Sequence, residues 1–73
     1  MFLIDMKENQ RAKVVKNSIC GGFGTRLRDL GFYEGEEVLC VKRAVFSSPI
    51  LYRVKGSLVA LRKEDAQKIE AAL

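Results

Sequence analysis

Apolar and polar residues alternate along ILYRVK (50–55), with Ile50, Tyr52 and Val54 on one side and Leu51, Arg53 and Lys55 on the other. That period of two predicts a strand with one covered face. RAKVVK (11–16) repeats it, setting Ala12 and Val14 against Val15, and predicts a first strand. EVLCVKRA (37–44) carries four successive apolar residues, Val38 to Val41, the pattern of a strand covered on both faces in a small barrel. Gly56-Ser57 stands between two β-rich runs as a two-residue hairpin signal, and SLVALR (57–62) is expected to close the hairpin.

Elsewhere the period changes. Phe23, Leu27 and Leu30 recur at four and three, which predicts a short helix over TRLRDLGF (25–32) with Thr25 as its N-cap and Gly31 at its C-terminus. Ala66, Ile69 and Leu73 recur at three and four in KEDAQKIEAAL (63–73), and Glu64 and Asp65 suit the first turn of a terminal amphipathic helix. NSICGGFG (17–24), Glu34-Gly35-Glu36 and FSSP (46–49) read as loops or turns, with Pro49 just before a strand. FLIDM (2–6) is expected to tuck the N-terminus against the body. The predicted order is strand, short helix, three strands, helix.

A chain of 73 residues, 48% hydrophobic and 30% charged, has the balance of a single soluble domain spanning 1–73. No apolar run is long enough to cross a bilayer. MFLIDMKENQ lacks a basic segment ahead of an apolar run, so a cytoplasmic location is expected. Thirteen basic against nine acidic residues give a net charge of +4, interspersed along the chain. A mixed solvated surface fits that dispersion better than a nucleic-acid footprint.

The chemistry-bearing residues are few. Gly21, Gly22 and Gly24 precede Thr25-Arg26, whereas a phosphate-cradling loop needs a lysine and a hydroxyl at fixed spacing after its last glycine. The glycines therefore read as a hinge. There is no histidine to serve as a general base, and the acidic clusters (Glu34, Glu36 and Glu37; Glu64 and Asp65) look like solvated turn and cap residues. Cys20 and Cys40 lack metal-ligand spacing. No catalytic residue, metal ligand or cofactor is expected. Phe23, Phe32, Tyr33 and Phe46 fall on loops or element ends, positions from which a small barrel presents contacts to another protein or fills its own mouth.

Two motifs carry a family resemblance over most of the chain. RLRDLGF-x-x-G-x-x-V is formed by Arg26, Leu27, Leu30, Gly31, Phe32, Gly35 and Val38. The second run comprises Pro49, Ile50, Val54, Gly56, Ala60, Leu61, Arg62, Ala66 and Ile69. In order and spacing these resemble the FeoA family, the small cytosolic partners of the bacterial ferrous iron transporter FeoB. The resemblance implies a mainly β, SH3-like β-barrel with a short helix after the first strand and a C-terminal helix. It also implies a non-enzymatic accessory that binds the transporter's cytoplasmic GTP-binding region, with Phe23, Arg26, Leu30, Phe32 and Arg62 as expected contacts. Arg62 has a second reading, a strand-end charge whose stem packs on the barrel. The alternative function is a nucleic-acid-binding or metal-responsive module of the same fold.

Overall fold

The computed structural model describes residues 1–43 and 49–73. A 3₁₀ turn, Leu3–Asp5, precedes β1 (Arg11–Asn17), α1 (Gly21–Leu30), β2 (Glu37–Lys42), β3 (Ile50–Val54), β4 (Ser57–Leu61), α2 (Lys63–Ala66) and β5 (Ile69–Ala72). The strands form one antiparallel sheet in the order β4-β3-β2-β1-β5. Ala12, Val14, Val38, Cys40, Ile50, Tyr52, Val54, Leu61, Ile69 and Ala71 supply the strands' share of the core. Register shifts between Val14 and Lys16 and between Cys40 and Lys42 bend β1 and β2. The sheet thereby wraps its own buried face. Among the described residues no ladder joins β4 to β5, so the barrel stays partly open.

The alternation read in β1 and β3 is what the structure buries. In β2 the second face is only half covered: Val38 and Cys40 are buried, whereas Leu39 and Val41 are intermediate. The hairpin turn sits one residue earlier than expected. Lys55 (φ 48°) and Gly56 (φ 78°) form it, and Val54 pairs with Ser57 across it. Positive φ at both central residues is the type I′ geometry that matches the twist of the flanking strands. The expected loop at Phe46–Pro49 lies, for residues 46–48, outside the described residues.

The C-terminal helix is the main correction. It is confined to one turn, Lys63–Ala66, and Ile69–Ala72 forms a fifth strand against β1. Ile69 and Ala71 are buried while Glu70 and Ala72 are exposed, so a period of two competes here with the helical spacing of Ala66, Ile69 and Leu73. The free edge of β1 decides the contest, because pairing satisfies a row of backbone groups on both strands. Leu73, the outermost member of the predicted stripe, is 80% exposed.

FLIDM does tuck in. Leu3 and Met6 are fully buried, and the Tyr52 hydroxyl donates to the Leu3 carbonyl at 2.7 Å. The Arg43 guanidinium donates to the carbonyls of Ile4 and Met6. Burial, then the neighbouring Cys40, pushes the Tyr52 hydroxyl well above the ordinary tyrosine value of 10.0. The folded state therefore holds a proton that the unfolded chain releases near pH 10, and stability present below that pH is lost above it. Tyr52→Phe removes the bond to Leu3 and is expected to cost about 1–3 kcal/mol at neutral pH. It should also flatten the decline between about pH 10 and 11. Urea denaturation at pH 7 and at pH 10.5 reads both effects, and an unchanged alkaline slope would argue against the assignment.

Candidate functional site

Most of the residues expected to touch a partner lie on or just after α1, whose placement depends on one side chain and two glycines. Asn17, at the end of β1, accepts a hydrogen bond from the Ile19 N–H at 3.0 Å and donates to the Phe32 carbonyl at 3.2 Å. It thus ties the chain entering α1 to the chain leaving it. The helix starts at Gly21 with Cys20 as its N-cap, so the glycines form its first turn and are not a hinge. Thr25, expected as the cap, lies inside the helix with its hydroxyl 3.4 Å from the Gly21 carbonyl. A Cβ at Gly24 would sit 1.9 Å from the Ile19 carbonyl oxygen, so only glycine lets the helix lie this close to the segment that enters it from β1. At the far end Gly31 (φ 128°) donates to the Leu27 and Arg28 carbonyls and Phe32 donates to Leu27, which satisfies the last turn.

This arrangement sorts the candidates. Leu27 is buried and Leu30 is half-buried against the core. Phe32 is fully buried, its ring edge-on to Tyr52 with centroids 6.5 Å apart, and it offers nothing to a partner. The backbone reverses at Gly31 and carries Phe32 inward. Phe23 is 46% exposed and Arg26 is exposed on the same helix. Arg62, the residue before α2, joins Phe23 across a cleft of about 500 Å³ that Ala60, Glu64 and Asp65 complete. Arg26 does not line that cleft. Ala60, Glu64 and Asp65 were not singled out as contacts from sequence. Ala60 carries no signal, and that of Glu64 and Asp65 is the acidic first turn beginning just after Arg62, legible only once α2 is known to share a cleft with Phe23.

Reactive chemistry has little to work with. Burial pushes the Cys40 thiol up from its ordinary value, although Arg43 opposes this, so the sulfur is held protonated in the core. Cys20 is exposed, at the start of α1. No group of three or more potential metal ligands occurs among the described residues. Tyr33 accepts a hydrogen bond from Lys55 Nζ at 3.0 Å, pinning the hairpin turn beside the exit of α1. No helix among the described residues is long and apolar enough to cross a membrane.

Comparison with known proteins fits this geometry. The FeoA domain profile matches residues 1–73. A protein of Porphyromonas gingivalis, an Fe(2+) transport protein A/Fe(2+) transporter FeoB fusion, is 34% identical over 73 residues; the whole of this chain spans 9% of that protein's length. The solution structure of FeoA from Chlorobium tepidum matches all of this chain and 70% of its own, at 27% identity and a TM-score of 0.92. The crystal structure of Stenotrophomonas maltophilia FeoA complexed with zinc, described as a procaryotic SH3 domain protein, is 32% identical with a TM-score of 0.84, covering 97% of this chain and 88% of that one. The profile match and the shared SH3-like fold agree with the two motifs, and the chain belongs to the FeoA family, whose members take part in ferrous iron transport.

Proposed function

We propose that the chain is a non-enzymatic, cytoplasmic accessory of ferrous iron uptake that docks on the cytoplasmic GTP-binding region of a FeoB-type transporter and modulates transport. The observation that carries this reading is the fusion in Porphyromonas gingivalis, where a segment 34% identical to the whole of this chain is joined to a FeoB transporter. Joining two modules in one chain raises the concentration each presents to the other, which favours a contact of modest intrinsic affinity. The docking surface in this chain centres on Phe23, whose exposed ring shares α1 with the exposed Arg26 and a cleft with Arg62. Aromatic and arginine residues dominate binding energy in protein interfaces.

Titrating the isotope-labelled protein with the isolated GTP-binding domain of the transporter from the same organism, with and without nucleotide, tests the reading. Saturable shifts at Phe23, Arg26 and Arg62 are expected, and Phe23→Ala should weaken binding by at least about tenfold. A folded sample that shows no shifts with either nucleotide state would sink it.

A further inference from the structure

The two edges of the sheet are treated differently. At β5 the N-terminal residues cover the edge: Phe2 bridges Glu70, Ala71 donates to the Met1 carbonyl, and the Met1 amine donates back to Ala71 at 3.1 Å. At β4 nothing comparable occurs among the described residues. The turn makes Val54 and Ser57 the first hydrogen-bonded pair of the hairpin. Alternation along an antiparallel ladder then directs the N–H and C=O of Tyr52 and Val59, and of Ile50 and Leu61, toward each other. The same alternation turns the N–H and C=O of Leu58 and Ala60 away from β3, and no backbone bond from any described residue meets them.

Edge strands usually carry a lysine, a proline or a bulge that discourages pairing. SLVAL carries none of these, keeps an unbroken register with β3, and leaves Leu58 55% exposed. Its C-terminal end opens into the cleft of Phe23, Ala60 and Arg62.

We propose that β4 is a strand-addition site, and that its occupant is an extended, acidic segment of the partner that pairs with Leu58 and Ala60 and lays one apolar side chain on Phe23. The proposal rests on the docking reading above and specifies how the partner is held. Backbone pairing supplies the affinity in this recognition mode, and alternate side chains supply the specificity. The sign of the segment follows from the flanking charges. Arg53 lies across the ladder from Leu58, Lys55 stands in the turn, and Arg62 and Lys63 follow the strand; together they outweigh the two acids Glu64 and Asp65 on the cleft wall. Neither arginine has an ion-pair partner among the described residues, where Arg11–Glu37 is the ion pair formed. A second copy is the poorer occupant. Pairing Leu58 with Ala60 of another molecule would set Lys55 beside Lys63 of that molecule, between chains that each carry +4.

The test is amide hydrogen exchange of the full chain with and without the transporter's GTP-binding domain, together with the affinity of Ala60→Pro. Proline at position 60 removes an N–H that makes no bond to β3, so the hairpin ladder is retained while the edge is blocked. Binding should slow exchange at Leu58 and Ala60 by at least about tenfold, and Ala60→Pro should weaken binding by a similar factor. If that variant does not fold, Leu58→Glu, which sets a like charge against the acidic segment at an exposed position, is expected to do the same. Wild-type binding with unchanged exchange at both amides and full affinity in the variants overturns strand addition and leaves docking intact. No wild-type binding overturns both. Protection of the same two amides by concentration alone, with a dimer in sedimentation, overturns the assigned occupant.

Discussion

Phe32→Ala is expected to remove about half of the protein's stability. Truncating a buried phenylalanine costs about 3–5 kcal/mol, and a domain of 73 residues holds roughly 4–11 kcal/mol in total at about 0.05–0.15 kcal/mol per residue. Phe32 sits with no exposed surface, edge-on to Tyr52, and its carbonyl accepts from Asn17, so the cavity opens where helix exit and sheet meet. Phe23→Ala, at a side chain 46% exposed, should stay within about 0.5 kcal/mol of the parent. Urea denaturation followed by circular dichroism separates the two. Equal stability losses would mean that the burial described for this pair is wrong. The contrast also governs binding experiments: loss of docking in Phe32→Ala reports lost stability, whereas loss in Phe23→Ala reports the surface.

Gly24→Ala is the second large effect, and intrinsic helix preference points the opposite way. Alanine favours a helix interior over glycine by about 1 kcal/mol. At position 24 the added methyl would stand 1.9 Å from the Ile19 carbonyl oxygen and 2.8 Å from its carbon, both backbone atoms that cannot rotate aside. The first turn must move away from the Ile19 backbone, straining the Asn17 bonds to Ile19 and Phe32. An overpacking cost of about 3 kcal/mol, the upper end of the usual range, less about 1 kcal/mol of helix preference leaves a net loss of about 2 kcal/mol. Gly22 in the same turn has open space around its Cβ position, and Gly22→Ala should stabilise by up to about 1 kcal/mol. Thermal or urea midpoints of the two variants check this, and a Gly24→Ala protein as stable as Gly22→Ala would refute the close approach.

How far these features are legible in the sequence depends on the range of the interaction that sets them. Alternation in RAKVVK and ILYRVK is local, and Ala12, Val14, Ile50, Tyr52 and Val54 are buried as it implies. Gly31 and Gly35, read as turn residues, have φ of 128° and 91°. The end of the chain was misread because Ile69 and Ala71 fit a strand period over four residues as well as Ala66, Ile69 and Leu73 fit a helix. Only the open edge of β1, about fifty residues earlier, breaks the tie. The start of α1 was misread because three glycines disfavour a helix by propensity, and the close contact with Ile19 that requires Gly24 is tertiary. In the candidate site the residue pattern brings out Phe23, as a ring at an element end, and Arg62, as a member of the second motif, and the two share a cleft. It could not distinguish Phe23 from Phe32, since inward or outward direction is set by the reversal at Gly31.

The bonds between Met1 and Ala71 place the two ends of the chain side by side on the β5 margin, at the opposite end of the strand order from β4. Adjacent ends make a domain easy to permute or to splice into another protein. A circular permutant that links Leu73 to Met1 through a short glycine-serine bridge and opens at the Lys55-Gly56 turn would keep every strand. It would also cut the covalent link between β3 and β4 while leaving their ladder to form. A tether to a second protein at either end strains neither Leu58 nor Ala60. A chain built this way can be covalently joined to its partner and still present its free edge to it, with the tether setting only how often the two meet.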